Sequence, residues 1–136
     1  MRMNDFIWPI RVYYEDTDAG GIVHHANYVK FLERSRVEWL RQHGIELTQL
    51  KQQYNLIFVI RQLTLDYLKP AFLDDMLHIT VNLSKLGKAS MTITQQVLRG
   101  ADILCTATVK IARVNSANKR PQAIPPELLK ILTNPS

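Results

Sequence analysis

The chain has 136 residues, of which 46% are hydrophobic and 21% charged, and it carries a formal net charge of +5. This length and composition predict one globular domain over residues 1–136 and exclude a largely disordered chain. No apolar run approaches the roughly 20 residues that cross a bilayer, and the single cysteine, Cys105, cannot form an internal disulfide. The first ten residues lack the long apolar segment of a secretory signal, so we expect a cytoplasmic protein.

The positive charge is concentrated in the C-terminal part of the chain. Residues 1–83 hold nine Lys and Arg against ten Asp and Glu, whereas residues 84–136 hold eight against two. This asymmetry is typical of a protein with a polyanionic partner, although a solvated basic face without a partner is equally compatible with charge alone. We do not expect nucleic acid to be the partner, because the chain has no nucleic-acid motif and does not interleave its basic residues with aromatic ones.

The first half of the chain predicts a strand, a long helix and a short helix. Residues 6–15 are rich in aromatic and β-branched side chains and predict a strand, and Pro9 favours either an edge position or a late start for it. From about residue 25 the apolar side chains follow helical spacing, and Gly44 after a basic last turn predicts the helix end. A short polar helix is predicted near residues 48–53.

The second half of the chain follows a β pattern. Residues 56–68 predict a long strand that ends at Lys69-Pro70, and three runs of alternating apolar residues follow near 77–83, 91–97 and 103–111. The segments "KLGKAS" and "RGAD" between them are short enough to be hairpin turns. The expected fold is therefore α+β, with one long helix covering one highly curved antiparallel sheet.

The segment "DTDAGGIVHHANY" before the long helix carries the densest polar chemistry. An EF-hand reading of it fails, because the ligand positions 5 and 12 would be Gly20 and Asn27. A transition-metal site on the two acids and the adjacent histidines lacks an H-x-x-x-H pair or a Cys cluster, so we predict no metal. A Walker-type phosphate loop is also disfavoured, because the segment has no G-K-[ST] ending and its carboxylates would repel phosphate.

Acyl chemistry fits this segment better. Unpaired amides at a helix N-terminus can hold a developing oxyanion, and a carboxylate upstream can attack a carbonyl or activate a water against it. Gly20 and Gly21 would let the backbone pass close to a substrate. An Asp-rich turn that merely caps the helix is at least as compatible with the residues alone.

The same segment resembles a known family signature. The motif D-x-D-x-x-G-x-V-x-[HY]-x-x-Y is complete from Asp16 through Tyr28 and is typical of the 4-hydroxybenzoyl-CoA thioesterase family of hot-dog folds. The resemblance is closer still to the YbgC-type acyl-CoA thioesterases associated with the Tol–Pal system, and it extends to "LDDML" at 73–77 and "KRPQAIP" at 119–125. It implies a hot-dog fold of about five strands and an enzyme that hydrolyses acyl-CoA or acyl-carrier-protein thioesters.

The resemblance also assigns roles to residues. It makes Asp18 the nucleophile or general base, and it makes the backbone amide of His25 the group that polarises the thioester carbonyl. The family often has Tyr at position 25, so a side-chain hydroxyl role is not carried over. Further substrate contacts are expected around the motif and, for the CoA phosphates, in the basic half: Gly21, Val23, Asn27, Tyr28, Lys85, Lys88, Ser90 and Arg113. Phe58, Tyr67 and Met91 are left open as pocket-lining or core residues.

The resemblance also bears on how the chain assembles and on which other functions are open to it. The resemblance implies a homodimer with joined sheets and the acyl pocket between subunits, commonly built into a tetramer, with no cofactor beyond the CoA of the substrate. Dehydratases of this fold use a D-x-N-P-x-H motif, which the chain lacks. The alternative is a non-catalytic hot-dog scaffold or acyl-binding module linked to the cell-envelope and phospholipid machinery, and it leaves peripheral association with the inner membrane open. The intact Asp18 favours the enzyme.

Overall fold

Five strands form one antiparallel sheet in the computed structural model, which describes residues 6–133. Their order across the sheet is β1-β3-β4-β5-β2, so the two strands nearest the N-terminus lie at opposite edges. Short turns join β3 to β4 and β4 to β5, which confirms the two predicted hairpins. The strands are β1 (Phe6–Arg11), β2 (Leu56–Tyr67), β3 (Met76–Leu86), β4 (Ser90–Arg99) and β5 (Asp102–Asn115).

A 16-residue helix covers one face of this sheet. The helices are α1 (Asn27–Gln42), α2 (Leu47–Tyr54) and α3 (Pro126–Thr133). α1 packs against β1 and β3, and α2 packs against β2. The helical periodicity in the sequence is real, because the buried side chains of α1 recur at three- and four-residue spacing and include Tyr28, Phe31, Leu32, Ser35 and Trp39. Together the long helix and the antiparallel sheet confirm the predicted α+β hot-dog architecture.

The core has two parts along the length of α1. Near the helix start, Phe31 and Leu32 are fully buried against Leu77 and Ile79 of β3. Near the helix end, Trp39 and its neighbours pack with residues of α2, α3 and strands β2 to β5. Burying such a side chain contributes about 1.5–3 kcal/mol, so the first group anchors the start of α1 firmly on the sheet.

The two edges of the sheet differ. β1 is a six-residue edge strand that contains Pro9, so of the two alternatives for that proline the edge position is confirmed and a late start is not. β2 is twelve residues long, and among residues 6–133 it pairs only with β5. Along it and just beyond, Val59, Ile60, Tyr67 and Leu68 are between 38% and 58% exposed. The β2 edge is therefore long, apolar and open in the single chain.

Two elements differ from the prediction. The first strand ends at Arg11, and Tyr14–Asp16 form a 3₁₀ turn instead of continuing it, because the Asp16 carboxylate accepts the Tyr13 amide and closes the turn. α3 was not predicted, although Pro126 at its first position followed by Glu127 is a typical helix start. No helix within residues 6–133 is both long and apolar enough to cross a membrane.

Candidate active site

The loop between β1 and α1 is folded around Asp18. The Asp18 amide donates to the Ile22 carbonyl at 2.9 Å, and the Gly20 amide donates to the Asp18 carboxylate at 2.8 Å. Gly21 has a φ of +79°, a conformation that glycine adopts without strain, and its carbonyl accepts the Leu73 amide at 3.4 Å. These contacts fix the backbone that carries the exposed Asp18 side chain.

Asp16 has a different place in the same loop. It is 7% exposed, and its carboxylate accepts the Tyr13 amide and the Asn27 side-chain amide, both at 2.8 Å. Its backbone carbonyl also accepts the His24 amide at 2.9 Å. Asp16 thus ties both ends of the loop to the first residue of α1. The Asn27 side chain, predicted to contact substrate, is engaged in this structural contact.

The start of α1 leaves an amide available beside this loop. α1 begins at Asn27, two residues later than predicted, and its N-cap residue Ala26 provides no side-chain cap. Among residues 6–133, the His25 amide donates a hydrogen bond to no acceptor, while the His25 carbonyl accepts the Tyr67 hydroxyl at 2.9 Å. Uncapped amides at a helix start carry partial positive charge and can hold an oxyanion. The arrangement suits the backbone role predicted for His25.

An apolar groove of about 270 Å³ opens next to that amide. Val23, His25 and Tyr28 line it together with Tyr67 and residues 68–70, so three of the predicted site residues come together here. The Tyr28 side chain is 3% exposed, and its hydroxyl accepts the Ala71 amide at 3.1 Å, which fixes one wall of the groove. Burial raises the pKa of Tyr28, so its hydroxyl stays neutral.

The basic residues predicted for CoA lie at the other end of the sheet. Met76, the first residue of β3, pairs with Arg11 beside the loop, and Lys85 comes nine residues later in the same strand. At about 3.3 Å per residue this places Lys85 roughly 30 Å from the Asp18 end. Lys88 and Ser90 lie in or next to the adjoining hairpin. A single chain therefore does not bring these three residues to Asp18.

Arg113 is a correction to the sequence prediction. It was expected to contact the phosphates of CoA, but it is 3% exposed. Its guanidinium donates to the Gln122 side chain at 2.9 Å and to the Tyr54 carbonyl at 3.0 Å, and burial lowers its pKa. The assignment is wrong because β5 places this side chain inward, between α2 and the segment before α3. A count of basic residues could not reveal that orientation.

A second groove lies between α1 and the open edge strand. It also measures about 270 Å³, and Phe58 and Met91, which the sequence left open, contribute to its wall. Arg36 also lines it, 8% exposed, with its guanidinium donating to the Gln95 side chain at 3.0 Å. Burial lowers the pKa of Arg36. Sequence reasoning missed this buried polar pair, because Gln95 sits at an apolar position of its strand pattern and carries no motif.

Two other chemistries find little support in residues 6–133. No group of three His, Cys, Asp or Glu side chains in that range lies close enough to hold a metal ion. The rings of His24 and His25 contact each other at a tilt of 33°, with centroids 4.4 Å apart. Cys105 is fully buried, and burial raises its pKa to about 11, so the thiol is protonated at neutral pH and is unsuited to nucleophilic attack.

Comparison with known proteins decides the family. A model described as the thioesterase-like superfamily matches residues 12–132. The chain belongs to this superfamily. Proteins similar in sequence to this chain include the acyl-CoA thioesterase YbgC of Haemophilus influenzae, which is 42% identical over 92% of this chain and 92% of its own length. The acyl-CoA thioester hydrolase YbgC of Escherichia coli O157:H7 is 41% identical over 91% of this chain and 92% of its own length.

Solved structures of the superfamily agree with this assignment. A probable thioesterase from Bartonella henselae superposes with a TM-score of 0.85 at 36% identity, over 89% of this chain and 99% of that one. The family and fold predicted from the motif between Asp16 and Tyr28 are therefore confirmed, and the enzyme class of the superfamily is thioester hydrolase. The roles of individual residues in the motif stay predictions.

Proposed function

We propose that this thioesterase-superfamily member hydrolyses acyl-CoA thioesters at the loop between β1 and α1. In this proposal Asp18 is the nucleophile or general base, and the His25 amide polarises the thioester carbonyl. The observation that carries it is that one loop holds both an exposed carboxylate, Asp18, and the amide of His25, which has no acceptor among residues 6–133 and borders an apolar groove. The YbgC-type relatives named above support the acyl-CoA substrate.

In this proposal the thioester is hydrolysed by one of two routes. As a nucleophile, the Asp18 carboxylate attacks the carbonyl carbon, the C–S bond breaks, and CoA leaves as a thiolate that takes up a proton. Water then hydrolyses the mixed anhydride to the free acid and restores the carboxylate. As a general base, Asp18 instead takes a proton from a water that attacks the carbonyl carbon; the C–S bond then breaks, and the leaving CoA thiolate takes up that proton, which restores the carboxylate. Both routes pass through a tetrahedral oxyanion, which the His25 amide at the start of α1 would stabilise.

We propose further that the complete site needs two copies of the chain. Within one chain the basic hairpin, defined here as residues 85–90, lies at the end of the sheet opposite Asp18. That end also carries Leu56, the first residue of β2, whereas the last residue, Tyr67, lies at the Asp18 end. A second copy pairing antiparallel along the open β2 edge would bring its own basic hairpin beside the first copy's groove. The CoA phosphates would then meet Lys85 and Lys88 of the other copy.

The leaving group is proposed to be any thiol on a 4′-phosphopantetheine arm. CoA and acyl carrier protein both present this arm, and the apolar groove beside His25 offers no charged side chain that would select between them except Lys69. An acyl-CoA and the same acyl group on a carrier protein, compared in one assay, would distinguish the two donors. No cofactor enters either route.

The experiment that tests the proposal is thiol release from acyl-CoAs of increasing chain length. We expect wild type to hydrolyse part of the series, and Asp18→Asn to lower kcat at least ~10²-fold while the protein stays folded, because the base or nucleophile is removed. The variant must be purified free of wild-type protein. Near-normal hydrolysis by Asp18→Asn would show that the carboxylate is not part of the mechanism.

A further inference from the structure

The hydroxyl of Tyr67 reaches across the site to the backbone that carries the proposed oxyanion donor. Tyr67 is the last residue of β2, and its hydroxyl donates to the His25 carbonyl at 2.9 Å. The two residues are 42 positions apart in the sequence, so the contact exists only in the folded chain. Tyr67 also lines the groove beside His25.

The His25 carbonyl is left without a helical partner at the start of α1. The Asn27 amide donates to the His24 carbonyl at 2.9 Å, and the Val29 amide donates to the Ala26 carbonyl at 3.2 Å. Neither bond uses the His25 carbonyl as its acceptor. Among residues 6–133, Tyr67 is the one donor that reaches it.

This unusual helix start needs an external constraint. Ala26 already has helical backbone angles, with φ −70° and ψ −21°, and it supplies no capping side chain. Without the hydrogen bond from Tyr67, the His25 carbonyl could accept the Val29 amide in an ordinary α-helical bond. That bond would extend α1 by one residue at its N-terminus. That rearrangement would rotate the peptide units around His25 and redirect its amide.

We propose that Tyr67 is a positioning residue for hydrolysis, acting through its hydrogen bond to the His25 carbonyl. The inference rests on the proposed function, because it takes the His25 amide as the oxyanion donor. Tyr67 does not itself act on the thioester. Its hydroxyl holds the backbone of residue 25 so that the amide stays directed at the position where the oxyanion forms.

The Tyr67 side chain is itself held in place for this role. Its ring packs edge-on against Tyr28, with centroids 5.4 Å apart and an interplanar angle of 73°. Tyr28 is in turn fixed by its hydroxyl contact with the Ala71 amide. Partial burial raises the pKa of Tyr67, so its hydroxyl keeps the proton that it donates.

The test is Tyr67→Phe in the full-length protein, with Tyr54→Phe as the matched control. Phenylalanine keeps the ring packing of Tyr67 and removes only the hydroxyl. We expect kcat on an acyl-CoA to fall about three- to tenfold, the loss that one neutral hydrogen bond supports, with KM within about twofold. Tyr54 lies on α2 near the basic hairpin, where the contacts proposed above act on KM, so its variant should leave kcat unchanged.

A second readout follows the backbone directly. In NMR spectra of the amide groups, Tyr67→Phe should shift the His25 and Ala26 signals, and Tyr54→Phe should not. Unchanged His25 and Ala26 signals would overturn the proposed contact, and unchanged kcat would overturn its importance for positioning. A rise in KM with constant kcat would instead make Tyr67 a binding residue and would also refute the proposal.

The outcomes separate this inference from the proposed function. Full activity of Asp18→Asn would refute the proposed function, whatever the Tyr67 variant does. An inactive Asp18→Asn together with a fully active Tyr67→Phe would leave the proposed function standing and overturn the positioning role of Tyr67 alone.

Discussion

Replacing Asp16 by asparagine should damage stability far more than the same change at Asp18, although the two acids lie two residues apart. The Asp16 carboxylate is 7% exposed and accepts two hydrogen bonds at 2.8 Å, from the Tyr13 amide and the Asn27 side chain. Asparagine has one acceptor oxygen, so one of these donors would face the NH₂ group instead. Asp18 accepts the Gly20 amide with one oxygen, and asparagine can keep that bond.

The magnitudes follow from these contacts. Losing one charge-assisted hydrogen bond and weakening the other should cost about 2–4 kcal/mol of the free energy of unfolding. For a chain of this size that corresponds to a melting temperature lower by roughly 10 °C. Asp18→Asn should change the free energy of unfolding by no more than about 0.5 kcal/mol. Its effect is expected on turnover, as described above.

The assay is urea unfolding of both variants and wild type, followed by circular dichroism at one fixed protein concentration. The concentration must be constant because assembly would contribute to the measured stability. Thiol release from an acyl-CoA is then measured at a temperature where all three proteins are folded. Wild-type stability for Asp16→Asn, or equal destabilisation by both variants, would refute the division of roles within the loop.

Three further expectations concern CoA, assembly and metals. The double variant Lys85→Ala, Lys88→Ala should raise KM for acyl-CoA about three- to tenfold with little change in kcat, because remote phosphate contacts contribute similar binding in ground and transition states. The effect should shrink with added salt and with an N-acetylcysteamine thioester, and equal losses on both substrates would contradict the phosphate role. Ile60 on the β2 edge is 49% exposed, and Ile60→Glu should convert an assembled wild type into monomers, measured by analytical ultracentrifugation, that hydrolyse acyl-CoA slowly. An unchanged sedimentation coefficient would argue against pairing along β2. Prolonged treatment with a strong chelator should leave the rate unchanged, and a loss restored by one divalent ion would revive a metal site.

Much of the fold could be predicted because its signals are local. The 3.6-residue period around Phe31 and Trp39 follows from the one face that α1 buries, and the two-residue alternation in β3 to β5 follows from the pleat. Gly44, with a φ of +77°, ends the first helical segment as expected. The motif around Asp18 is likewise contiguous in sequence, so its resemblance to a family was visible without a structure.

Other features depend on which residues meet after folding. Arg113 was wrongly placed at the substrate because strand alternation alone does not say what covers each face of β5. The contact between Tyr67 and His25 joins the end of β2 to the residues just before α1, and no local sequence pattern predicts it. The burial of Arg36 against Gln95 also depends on the position of α1 over the sheet.

The sequence by itself determined the family, the order of the main elements and the two acids of the loop, because each depends on residues close together in the chain. The tertiary structure decided how those residues are used. It buried Asp16 as a structural acceptor while leaving Asp18 exposed, and it placed the basic hairpin about 30 Å from the loop. The reason is physical: strand order and register fix distances between residues far apart in sequence, and periodicity along the chain carries no information about them.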